Sequence, residues 1–177
     1  MALTKKQLQV SEMYLRYYGE VPSNDEINSI LSKNGGSIKK VLKEIKTNSI
    51  EDKTPTEQIN DVFNNLFGRN ATDPEIEKFE KSATKGTLSI SKIIKSVPNE
   101  DKTVYKNKAD AVIVSKTLGI DIDVTKITKD NPVDTKAIAD TYVSNLIEAT
   151  LKRVPLKKEI DKLSKDILKG KEIAPKD

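Results

Sequence analysis

Cysteine, histidine and tryptophan are all absent from these 177 residues. Without cysteine there is no disulfide and no thiolate metal site. Without histidine the commonest general base near neutral pH is missing, as is the commonest transition-metal ligand. No apolar run approaches the length of about eighteen residues that a membrane-spanning helix needs. There is no glycine-rich phosphate loop and no serine–lysine motif at a recognised catalytic spacing. The 27 Asp and Glu residues supply carboxylates but single out no pair. These absences point away from an enzyme.

What is present is charge and helical pattern. Charged residues make up 33% of the chain and apolar ones 36%, yet the apolar residues recur at helical spacing. A folded all-α protein is predicted. The net charge of +4 is uneven: Lys152 to Lys171 carries eight Lys/Arg against three Asp/Glu, and the remainder sums to about −1. Such a segment suits an anionic partner, whether nucleic acid, phospholipid or acidic polysaccharide. The plain alternative is a solvated helix face. A near-neutral remainder and core-like aromatics argue against nucleic acid.

A pattern recurs along the chain. Val10, Met13, Tyr14, Tyr17 and Tyr18 form an i, i+3, i+4, i+7, i+8 stripe closed by Gly19. Forty-nine residues on, Ile59, Val62, Phe63, Leu66 and Phe67 form the same stripe, closed by Gly68. Glycine after a helical stripe suits the left-handed residue that ends a helix. Ser23 to Glu26 and Thr72 to Glu75 are capping boxes at the same offset, with Pro74 early in its first turn. Ser37 and Ser89, each after a glycine, would cap a third, shorter helix, and Thr4 and Thr54 would cap the opening ones.

A diverged copy closes the chain. Val143, Leu146, Ile147 and Leu151 fall on the first stripe, with Thr150 as its polar substitute. Lys152 stands where the turn glycine stood, and Leu156 where the capping serine stood. In between, Val104 to Leu118 reads as a helix ended by Gly119. Asp121 to Asp134 reads as a loop with a short turn at Val124–Thr128, and Asp134 as an N-cap. The expected organisation is unit one over 1–53, unit two over 54–99, a linking helix and loop over 100–134, and a truncated third unit over 135–177. Short helices are marginal alone, so tandem units of about fifty residues would stack into one irregular bundle or short spiral. The third unit stops where its last helix should begin, so a longer parent chain is expected.

The phrases Tyr14-Leu15-Arg16-Tyr17-Tyr18-Gly19-Glu20-Val21-Pro22 and Phe63-Asn64-Asn65-Leu66-Phe67-Gly68-Arg69-Asn70 each precede an acidic, capped helix. They resemble the tyrosine–leucine–glycine–arginine units at the N-termini of Gram-negative surface-layer proteins and of type I-secreted adhesins. Tyr105 to Asp110 and Thr117 to Asp121 resemble the helix that follows such units, and Met-Ala-Leu-Thr-Lys-Lys-Gln-Leu their unprocessed start. The resemblance covers residues 4–121. It implies a non-enzymatic domain that anchors a protein coat by binding lipopolysaccharide, through its O-polysaccharide or core. It also implies an extracellular location, export without an N-terminal signal peptide, and a lattice formed through the parent chain. The alternative is a protein–protein interaction or self-assembly module of a secreted adhesin.

Candidate glycan- or anion-binding residues are the guanidinium forks of Arg16, Arg69 and Arg153 and two lysine clusters. The clusters are Lys39, Lys40 and Lys43, and Lys152, Lys157 and Lys158. Scattered surface cations would look the same. Tyr14, Tyr17 and Tyr18 could stack on a sugar, but their counterparts Phe63, Leu66 and Phe67 favour core packing. No cofactor is expected. If a metal binds, it is calcium at Asp121 and Asp123, which share their loop with Asp130 and Asp134.

Overall fold

The computed structural model of the chain describes residues 3–174. Met1-Ala2 and Pro175-Lys176-Asp177, which include both outer bounds of the expected units, lie outside the described residues. Among the described residues there are nine α-helices, one 3-10 turn and no strand. The chain is all-α.

Helices α1 (Lys5–Tyr18), α2 (Asn24–Lys33) and α3 (Ile38–Ile50) come first. Thr4 and Ser23 each close a capping box, and the Ser37 hydroxyl accepts from Lys40 N. Then come α4 (Pro55–Phe67), α5 (Asp73–Thr84) and α6 (Ile90–Ser96). Val10, Ile27, Val41 and Ile45 bury the first group's core, with Tyr14, Tyr17 and Tyr18 partly buried against it. The aromatics thus pack as the sequence favoured. Phe63, Leu66, Ile59 and Ile93 bury the core of the second. Fully burying side chains of this size stabilises the fold by about 1.5–3 kcal/mol each.

α7 (Asn99–Leu118) then runs across both groups, packing on α1 and α4 and also on α8 (Thr135–Leu151) and α9 (Lys157–Ile167). It begins five residues before the expected Val104, because Pro98 fills the cap position and Glu100 and Asp101 suit the positive end of the helix dipole. The 3-10 turn over Val124–Lys126 falls within the expected Val124–Thr128, and Asp134 caps α8 by accepting from Ala137 N at 2.9 Å. Leu15 is fully buried although it lies off the α1 stripe. It meets Ala111 and Val112 of α7, so α1 is covered on two sides.

Two close approaches fix this arrangement. Gly19 ends α1 at φ 74°, and a Cβ there would come within 2.5 Å of Asn65 Oδ1 on α4. Lys108, in mid-α7, is 1% exposed and donates from Nζ to Asn65 O at 2.9 Å, capping the carbonyl end of α4. Burial without a carboxylate partner lowers its pKa from 10.5 to about 8.

Candidate functional site

A concavity of about 400 Å³ lies where one face each of α1, α3 and α4 meets the 86–91 segment that leads into α6. Ligand clefts usually span about 300–1,000 Å³, so this one is large enough to take a small ligand. On α1 the lining residues Gln9, Glu12, Met13, Arg16 and Tyr17 follow helical spacing. Met13, Leu42, Val62 and Leu88 supply apolar wall, while Gln9, Glu12 and Arg16 bring polar groups to the same face.

Those polar groups are held in place. Arg16 donates from Nε to the Tyr105 hydroxyl at 3.1 Å and from Nη2 at 2.9 Å, and Nη2 also reaches Glu12 Oε1. The Tyr105 hydroxyl in turn donates to Glu12 Oε1 at 2.9 Å. Burial works against the Arg16 charge, but Tyr105 and Glu12 outweigh it, and its pKa is raised. Burial likewise raises the pKa of Tyr105. Among the described residues Arg16 Nη1, Glu12 Oε2 and the Gln9 amide make no hydrogen bond within the protein. The cleft therefore presents a charged donor, a charged acceptor and an amide on one helix face. That set suits a ligand with several hydroxyls or an acidic group over an apolar ring. Within the cleft wall, Gln58 Oε1 is buried without a hydrogen-bond partner.

The other predicted cations lie elsewhere. Arg69, expected as an exposed fork, grips two carboxylates of its own chain. Nη1 and Nη2 each donate to Glu75 at 2.9 Å, and Nη2 donates to Asp101 Oδ2 at 2.6 Å. Its Cζ also lies 5.0 Å from the Phe63 ring centre. The Glu75 fork raises the Arg69 pKa, and Arg69 holds Glu75 down to about 2. Arg153 repeats half of this geometry, donating to Glu159 at 2.9 and 2.6 Å, and lowers Glu159 to about 2. Lys39, Lys40 and Lys43 are exposed on α3, and Lys152, Lys157 and Lys158 are exposed around the α8–α9 turn. The structure does not bring the two clusters to the cleft, whose lining includes neither.

Asp121 is exposed, and Asp123 accepts from Thr125 N at 3.1 Å and meets Lys126 at 3.2 Å. Among the described residues no group of three or more acidic side chains is placed to hold a metal ion.

The turn after α8 differs from its counterparts. α1 and α4 end on left-handed Gly19 and Gly68, whereas α8 ends on Lys152 at φ 54°. A side chain there costs about 1 kcal/mol relative to glycine. Glu26, Glu75 and Glu159 each accept from the cap N–H three residues earlier, at 2.7, 2.8 and 2.8 Å. Ser23 and Thr72 add a hydroxyl, but Leu156 has none, a loss of about 1 kcal/mol of cap stabilisation. Beside it Val154 is 80% exposed and Leu156 52%.

Of the cations singled out in the sequence Arg16 alone lines the cleft, while Glu12 and Tyr105, which hold it, were not among the candidates. The Glu12–Arg16 spacing of four was a readable helix pair, while Tyr105 lies 93 residues from Glu12 and left no local signal. Compared with known proteins, the chain matches no family model, no curated protein and no solved structure.

Proposed function

We propose that the chain is a non-enzymatic anchoring domain of a cell-surface coat that holds a polysaccharide of lipopolysaccharide in the cleft between α1, α3 and α4. In this reading 1–53 and 54–99 are two copies of one helical unit, 100–134 joins them to a diverged third over 135–177, and the units stack. The protein works outside the cell. The family-like turns Tyr14 to Pro22 and Phe63 to Asn70 support the surface role.

The observation that carries the glycan reading is the cleft itself. Arg16 Nη1, Glu12 Oε2 and the Gln9 amide line one helix face beside apolar wall. The network to Tyr105 fixes two of them before any ligand arrives. No metal is required, because the donors and acceptors come from side chains.

The test is binding of the purified chain to intact and to polysaccharide-deficient lipopolysaccharide from its source strain, across a salt series. Binding that disappears with the polysaccharide and survives moderate salt supports the reading. Equal, salt-labile binding to both would reduce it to nonspecific cation contact. Concentration-dependent self-association without glycan binding would favour the assembly module.

A further inference from the structure

The turn joining α8 to α9 gives up local stability twice, and both exchanges change its surface in the same sense. Lys152 occupies a left-handed position where Gly19 and Gly68 end the other two helices. Leu156 occupies a cap position where Ser23 and Thr72 supply hydroxyls. Between them Val154 is the most exposed large apolar residue described, at 80%, whereas Val21 after α1 is partly buried against Leu15 and Ala111. Local choices that oppose the fold mark places where another requirement prevails.

The chemistry of those choices is specific. Residues 152–158 contain Lys152, Arg153, Lys157 and Lys158 and no carboxylate. Lys158, Lys162 and Lys165 continue along α9 at spacings of four and three, a single stripe, and Lys169 follows in the turn beyond it. It runs opposite the α9 face that buries Ser164 and Ile167. All four are exposed. The nearest carboxylates on α9 are engaged, Glu159 by Arg153 and Leu156 N–H, and Asp161 by Lys136 and Lys157. An apolar tip ringed by lysines, followed by a lysine stripe, complements a surface with anionic headgroups over an apolar interior.

We propose that this turn docks on an anionic lipid bilayer. Val154 and Leu156 enter the headgroup boundary while Lys152, Lys157 and Lys158 lie among lipid phosphates. The proposal does not rest on the glycan reading, since the tip and the cleft share no residue.

Vesicles of phosphatidylcholine with 30 mol% phosphatidylglycerol, against pure phosphatidylcholine (an arbitrary composition of about this charge suffices), provide the test by co-sedimentation with the whole chain. The wild type is expected to bind the anionic vesicles, less so as salt rises, and not the neutral ones. Val154→Asp with Leu156→Asp should reduce partitioning by about tenfold or more, and Lys158→Gln by about fivefold. Two further variants separate binding from folding. Leu156→Ser and Lys152→Gly restore a cap and a glycine, so each should raise the melting temperature while lowering vesicle binding. Binding and stability moving in the same direction would overturn the proposal. So would no vesicle binding, binding unaffected by the aspartates, or concentration-dependent dimerisation that the aspartates abolish in the absence of lipid.

Discussion

The turns after α4 and α8 use the same local chemistry to different ends. Each has a left-handed closing residue, an arginine immediately after it, and a glutamate six residues further on that takes the guanidinium on both oxygens. After α4 the arginine also holds Asp101 of α7, and Gly68 lets the backbone come close to Ile127 and Thr128. After α8 the turn carries Lys152, Val154 and Leu156 outward. One turn ties helices together, while the other presents a surface. A local motif specifies its own shape, and the residues around it decide whether that shape braces the fold or faces a partner.

The sharpest way to break the comparison is at the arginines. Arg69→Gln leaves Glu75 and Asp101, whose side chains are 19% and 14% exposed, without their cation. It should cost about 1.5–3 kcal/mol, read as a lower urea midpoint. Arg153→Gln should cost less, because Arg153 and Glu159, with side chains 38% and 24% exposed, are less buried than Arg69 and its two carboxylates. Equal losses would show that Asp101 adds nothing to the α4 turn.

Acid sharpens the same point. Glu75 titrates near 2 in the fold, held down by Arg69, against 4.5 when unfolded. Below 4.5 the unfolded chain takes up a proton that the folded chain still refuses, so stability is lost as pH falls from 4.5 to about 2. Glu75→Gln should flatten this part of a stability–pH curve.

Lys108 gives a dependence of the same sign in an alkaline window. Its folded pKa near 8 lies below the unfolded 10.5, so its contribution grows as pH rises from 8 to 10.5. Urea midpoints of the wild type and Lys108→Met at pH 7 and pH 10 should diverge in favour of the wild type at the higher pH. Parallel curves would mean the ammonium is not desolvated. The smallest effect is at the α8 turn, where Lys152→Gly should gain about 0.5–1 kcal/mol by relieving the left-handed position.

Much of the fold was legible because its punctuation is local. Thr4, Ser23, Ser37, Thr54 and Asp134 accept the predicted cap hydrogen bonds, and Gly19, Gly68 and Gly119 are left-handed. What was not legible depends on α7. Its packing buries Leu15, places Tyr105 on the Glu12–Arg16 pair and closes Asp101 onto Arg69. Contacts between residues so far apart leave no spacing to read. For the same reason the cationic forks could be found in the sequence, but not which carboxylates would occupy them. The cleft was hidden too, because it is made by faces of three helices that only the packing brings together.

The measurement that tests the central claim most directly is a calorimetric titration of O-polysaccharide into the wild type, Gln9→Trp, and a triple variant Lys39→Gln, Lys40→Gln, Lys43→Gln. Gln9 lines the cleft, so tryptophan there fills it without removing the Arg16–Glu12–Tyr105 network. The account predicts that the wild type and the triple variant bind alike, while Gln9→Trp melts normally and does not bind. Undiminished binding by Gln9→Trp, with loss in the triple variant, would contradict it.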